Sequence, residues 1–197
     1  GARSGVLVTN SQASAQAGFP QRSAPKRPEE LQCDIHHTRI QGEPWTVLVG
    51  KMDGKPYEIL GGESSLIEIP KKHTSGTLCK NSFKSKENRY DLTFGDDGVI
   101  KDVVKVFDNP NNSAITRMIS LGLRHGAEVR FMVEQLQKDK GSDMFSFSKC
   151  VSRILKSYIV DGTEASDKTC PECGSTTGMI YQDGCKTCKD CGYAACG

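Results

Sequence analysis

From residue 31 to residue 107 apolar and polar side chains alternate with a period of two, the signature of half-buried strands. Trp45, Val47 and Val49 fall on one side and Thr46 and Leu48 on the other. Asp53-Gly54 then makes a two-residue turn into Tyr57, Ile59 and Leu60, so this stretch predicts a β-hairpin. Tyr90, Leu92 and Phe94 repeat the pattern up to Asp96-Asp97-Gly98, and 99–107, with Val103, Val104 and Val106, predicts the returning strand. Residues 33–40 and 66–69 predict two further short strands.

The period then changes. Pro110-Asn111-Asn112-Ser113 is a helix start, followed by Ile115, Met118, Ile119 and Leu123 at helical spacing, with Arg124 and His125 in the last turn and Gly126 as the stop. A second helix carries Val129, Met132, Val133 and Leu136. After a polar loop at 138–143, Phe147, Cys150, Val151, Ile154, Leu155 and Tyr158 form the stripe of a third helix, capped by Ser146 or Ser148. Strands followed by helices predict an α+β fold over 31–160, about three helices covering one face of an antiparallel sheet.

The flanks differ in composition. Residues 1–30 are rich in Ala, Ser, Gly, Gln and Pro with no sustained period, which predicts a flexible leader ending in the basic step Ala24-Pro25-Lys26-Arg27-Pro28. Residues 161–169 read as a linker. With 197 residues the chain can bury a real core, and a net charge of +2 is too small to argue for a polyanionic partner. No apolar run is long enough to span a membrane and no secretory pattern opens the chain, so a cytoplasmic location is expected.

Six of the nine cysteines lie in 170–197. The spacing C-P-E-C-G, then G-C-K-T-C-K-D-C-G-Y-A-A-C-G, predicts a small zinc ribbon, two tight turns each presenting two thiolates to Zn²⁺. Gly174 and Gly192 follow the second cysteine of each turn, which favours Cys170, Cys173, Cys188 and Cys191 as ligands. Cys185 with Cys188 is a competing second pair. Six thiols are two more than one zinc uses. Cys196, next to last in the sequence, belongs to neither ligand set, so it is expected to form an exchanging dithiol with Cys185, or with Cys191 if Cys185 holds the metal. His36-His37 do not read as a metal pair, because neighbours on a strand face opposite ways. Cys33 and Cys79 read as small apolar residues, and Tyr181 and Tyr193 as packing over the turns.

Several stretches carry a family resemblance. The runs 31–40 (LQCDIHHTRI), 45–50, 53–58 (DGKPYE), 112–126 (NSAITRMISLGLRHG) and 147–159, together with the six-cysteine tail, resemble the region after the catalytic barrel in class II, adenosylcobalamin-dependent ribonucleotide reductases. The resemblance runs from about residue 25 onward. It implies a part in reducing ribonucleotides to deoxyribonucleotides, with tail thiols re-reducing the active-site disulfide and thioredoxin or glutaredoxin recharging them. The family's barrel, with its thiyl cysteine and cobalamin site, has no counterpart in these residues. The resemblance therefore implies an accessory component, inactive alone, whose partner is a large catalytic chain holding adenosylcobalamin. The competing class is a nucleic-acid-binding zinc ribbon. Against it, residues 161–197 carry six acids and three lysines, and a Cys₄ zinc site adds about two negative charges, a poor match to phosphate. A purely structural docking domain is the third reading.

Overall fold

The computed structural model describes residues 22–81, 89–141 and 146–196; of the leader, residues 1–21 lie outside the described residues, as do 142 and 143 of the polar loop. The main body is a six-stranded antiparallel sheet with helices, the expected α+β class. Its strands are β1 (Glu30–Ile40), β2 (Glu43–Met52), β3 (Lys55–Glu63), β4 (Ser75–Asn81), β5 (Arg89–Phe94) and β6 (Gly98–Ile100), in the order β3-β2-β1-β4-β5-β6. Asp53 and Gly54, at φ 52° and 76°, form the predicted turn between β2 and β3, and Lys55 pairs with Met52.

Both faces of the sheet are buried, which explains the nearly unbroken apolar run in β2. Trp45, Val47, Val49 and Ile59 pack toward the helices α2 (Ser113–Arg124), α3 (Val129–Lys138) and α4 (Phe147–Lys156). Leu48 turns the other way and joins Leu31, Cys33, Ile35, Leu78 and Leu92 in a second core. That second face is closed by Ile67, Ile69, Val103 and Phe107.

The closing residues correct two strand expectations. Residues 66–69 do not form a strand: Ser64–Leu66 is a single 3₁₀ turn that folds Ile67 and Ile69 back over the sheet. The stretch expected as a strand at 99–107 pairs only through β6. Val103–Val106 is a short helix, α1, which places Val103 and Phe107 one turn apart on the same apolar layer. The central strand β4, which the alternation did not predict, pairs with both β1 and β5.

The helix ends follow local chemistry. Gly126, at φ 82°, donates to Leu123 O while Ala127 N donates to Gly122 O, the paired bonds that close a helix on a left-handed residue. Ser146 Oγ accepts from Lys149 N at 3.4 Å and starts α4. Ser120 Oγ on α2 accepts from Ile59 N at 3.0 Å and donates to Ile59 O at 3.1 Å, so the helix satisfies the outer strand β3. Residues 25–30 lie along the sheet: Tyr57 Oη donates to Pro25 O at 3.1 Å, and Arg27 pairs with the buried Glu58 at 2.7 Å and stacks over Tyr90. Arg124, from the end of α2, takes the other oxygen of Glu58 at 2.7 Å.

Candidate metal and thiol site

The tail forms a second, three-stranded antiparallel sheet of β7 (Met179–Gln182), β8 (Cys185–Cys188) and β9 (Ala194–Ala195). Residues 162–165 run beside β7, with Gly162 N donating to Tyr181 O, Tyr181 N to Thr163 O and Ala165 N to Met179 O at 2.8, 2.8 and 3.1 Å. The tail shares the core of the helical layer: Ala165, Cys170, Met179, Tyr181 and Cys188 pack with Val133, Val151, Leu155 and Ile159. Tyr181 Oη donates to Glu134 Oε1 at 3.1 Å, and Ser166 N reaches the same oxygen at 3.2 Å. Burial raises the Glu134 carboxyl, yet these donors and the charge of Lys186 hold it below its ordinary value.

Two turns of equivalent geometry face each other. Gly174 N donates to Cys170 O at 3.0 Å and Gly192 N to Cys188 O at 2.9 Å; Cys170 N donates to Ser175 O and Cys188 N to Tyr193 O, both at 2.8 Å. Gly174 and Gly192 sit at φ 73° and 78°, and a Cβ on either would meet nothing within 4 Å. The left-handed backbone, not crowding, is what requires glycine there.

The Sγ atoms of Cys170, Cys173, Cys188 and Cys191 lie within 4.8 Å of one another. Tetrahedral Zn–S bonds of about 2.3 Å place neighbouring sulfurs about 3.8 Å apart, and the Cys170–Cys191 and Cys173–Cys188 sulfurs are each 3.8 Å apart. The four thiols thus fit a metal ion such as zinc. Backbone N–H groups already point at the sulfurs, from Cys173 and Glu172 to Cys170, from Ser175 to Cys173 and from Tyr193 to Cys191. The Cys173 amide leads in drawing the Cys170 thiol down to about 7, against the effect of burial.

Cys185 and Cys188 are three residues apart on one strand, so their side chains leave opposite faces of β8. Cys185 is instead joined to Cys196 in a disulfide with a Cα–Cα distance of 4.4 Å. The β8–β9 ladder pairs Thr187 with Ala194 and Lys186 with Ala195, so Cys185 and Cys196 occupy its next rung, at the end opposite the 188–191 turn. Cys196 is exposed and Cys185 half-buried.

The remaining candidates lie elsewhere. His36 and His37 leave opposite faces of β1. The Tyr158 hydroxyl donates to Asp34 Oδ2 at 2.6 Å and takes a hydrogen bond from His36 Nε2 at 2.7 Å, while His37 Nε2 donates to His73 O at 2.7 Å. Burial keeps the His36 ring below its ordinary value and pushes the Cys33 and Cys150 thiols up, so those two cysteines are inert. Sequence reasoning passed over Glu134 and the basic residues beside Cys196; the signal for the latter was Lys149, Arg153 and Lys156, spaced four and three apart on one face of α4.

A family model described as the NrdJ homologue C-terminal domain matches residues 31–160. The chain belongs to that family. Membership of the NrdJ homologue C-terminal domain family relates the chain to class II ribonucleotide reductase, and residues 161–197 lie beyond the matched range. No curated protein and no solved structure matches the chain. Among the described residues no helix is long and apolar enough to cross a membrane.

Proposed function

We propose that this chain serves an adenosylcobalamin-dependent ribonucleotide reductase as an accessory C-terminal component, its tail carrying reducing equivalents to the active-site disulfide during deoxyribonucleotide synthesis. In this reading Cys170, Cys173, Cys188 and Cys191 hold Zn²⁺, which closes the two turns into one rigid unit. Cys185 and Cys196 are the exchanging pair. The observation that carries the reading is the division of the six tail cysteines into four converging sulfurs and one disulfide.

On this chain's side the exchange uses only the Cys185 and Cys196 thiols. In the reduced tail the Cys196 thiolate attacks one sulfur of the partner's disulfide, and the other partner sulfur leaves as a thiolate that takes a proton from water. Cys185 then attacks Cys196 Sγ, which releases the second partner thiolate and closes the 185–196 disulfide. Two electrons have moved from tail to partner. Thioredoxin or glutaredoxin returns them by the same two displacements. In this reading adenosylcobalamin belongs to the catalytic partner and takes no part in the thiol exchange.

Adding Cys196→Ser protein to the catalytic reductase tests this. Turnover supported by thioredoxin is expected to stop after the first cycle, while turnover driven by a small dithiol that enters the active site continues and zinc content is unchanged. Normal thioredoxin-driven turnover by the Cys196→Ser protein would refute the exchange role.

A further inference from the structure

The two turns are joined by more than their sulfurs. Ser175 closes the first turn, its carbonyl accepting from Cys170 N at 2.8 Å, and reaches the second with its hydroxyl, which donates to Asp190 Oδ2. Thr177 N lies 3.5 Å from Ser175 Oγ and donates to it. Three residues on, Gly178 O accepts from Lys189 N at 2.9 Å. The segment 175–178 is thus tied at both ends to Lys189-Asp190, the middle of the second turn.

Gly178 shows how close the approach is. Unlike Gly174 and Gly192 it lies outside the left-handed region, so its backbone does not require glycine; the space does. A Cβ there would stand 2.8 Å from Asp190 Oδ2 and 3.2 Å from Cys188 Sγ, well inside the ordinary contact distance of about 3.5–4.0 Å. The Asp190 carboxylate and the Cys188 sulfur therefore rest against the same bare glycine. The charge of Asp190 does not explain its place, because a Cys₄ zinc site carries about two negative charges and repels a carboxylate. The hydrogen bond from Ser175 does.

We propose that Asp190 and Gly178 are positioning residues for the metal, acting through Cys188: they hold the second turn against the first, so that the four sulfurs stand at coordination spacing before the ion enters. Ser175 is the donor that completes the contact. The inference rests on the reading of Cys170, Cys173, Cys188 and Cys191 as metal ligands and says how that site is made ready. The two turns come from separate parts of the tail, and bringing them together costs chain entropy. Where contacts within the protein meet that cost on folding, the metal does not, and it binds more tightly.

The test loads the full, reduced chain with Zn²⁺ in competition with a chelator, and with Co²⁺ to read the d–d absorption of a tetrahedral thiolate site. Asp190→Ala and Ser175→Ala are each expected to weaken Zn²⁺ binding by on the order of fivefold, a modest loss because the contact is exposed. The double variant is expected to lose no more than either alone, since both changes remove one bond. Asp190→Asn keeps an acceptor and Ser175→Thr keeps a donor, so both are expected to hold the affinity of the unchanged chain. Gly178→Ala is expected to weaken binding and to shift the Co²⁺ bands as the Cys188 sulfur is displaced, with hydrogen exchange in β7 showing that the tail stays folded. Unchanged affinity in Asp190→Ala and Ser175→Ala, losses that add in the double variant, or Asp190→Asn binding as weakly as Asp190→Ala overturn the positioning role and leave the metal reading standing. A full chain that takes up neither Zn²⁺ nor Co²⁺ removes both.

Discussion

The Tyr181 hydroxyl donates to Glu134 Oε1 at 3.1 Å in a fully buried contact, and this bond joins the cysteine-rich tail to helix α3. Removing one partner of a buried hydrogen bond leaves the other short of a donor. Tyr181→Phe is therefore expected to lower stability by about 1–2 kcal/mol in urea unfolding. Hydrogen exchange is expected to speed up through 162–165 and β7 while zinc content stays unchanged. Loss of zinc in this variant would mean that the tail depends on the helices for its metal as well as for its seat.

The metal makes its own prediction. One Zn²⁺ per chain is expected in reduced protein, lost on changing Cys170, Cys173, Cys188 or Cys191 to Ser and retained in Cys185→Ser, as metal analysis would show. Gly174→Ala and Gly192→Ala meet no atoms, so each is expected to cost only the left-handed strain of about 1–2 kcal/mol. A chelator competition would read that as weaker zinc binding of similar size for both turns.

Acid is expected to unfold the chain through two carboxylates. Burial raises Asp91, but the Asp102 amide, Asn81 and Arg89 hold it below its ordinary 3.8, as Ser166 and Tyr181 hold Glu134 below 4.5. A carboxyl whose folded value is depressed binds its proton more readily when unfolded. The stability it adds is complete above the ordinary values and is lost as pH falls through the folded ones. Urea midpoints are expected to fall below about pH 4.5, and to fall less steeply in Asp91→Asn. A midpoint independent of pH in that range would contradict the assignment.

Glu58 stands between Arg27 and Arg124: Oε1 accepts from Arg27 at 2.7 Å, and Oε2 accepts from Arg124 at 2.7 Å and from Arg27 Nε at 3.4 Å. Glu58→Ala leaves two guanidinium groups together without their anion and is expected to cost about 3 kcal/mol. Arg27→Ala is expected to cost less, because Arg124 still pairs with the carboxylate. Thermal unfolding of the two variants distinguishes them, and equal losses would show that Arg27 carries the site.

Elements whose signals are local were legible from the residues. Helices α2 and α4 announce themselves through Gly126, Ser146 and a one-sided apolar stripe, and the Asp53-Gly54 turn through its own chemistry. Strand β4 was not legible, because among SGTLCKN only Leu78 is buried and the strand is held by pairing on both edges, which no local pattern records. Val103–Val106 misled in the opposite sense. Its valines favour a strand, yet the left-handed turn at Asp102, φ 53°, redirects the chain so that a single helical turn covers the sheet. In the tail, spacing alone left Cys185 and Cys191 as alternatives, since choosing between them requires knowing that 185–188 is a strand rather than a turn.

The position of the 185–196 disulfide one rung beyond a two-rung ladder has a mechanical consequence. So short a ladder has little of its own to fix which residue stands opposite which, and a slip of one residue turns every side chain to the other face. With a metal bound as proposed, the 188–191 turn would act as a register pin. While it held, Cys185 and Cys196 would stay opposite each other through the proposed reduction and reoxidation. Once it opened, the two sulfurs would lose their alignment, so a metal that never touches them would decide whether they can meet.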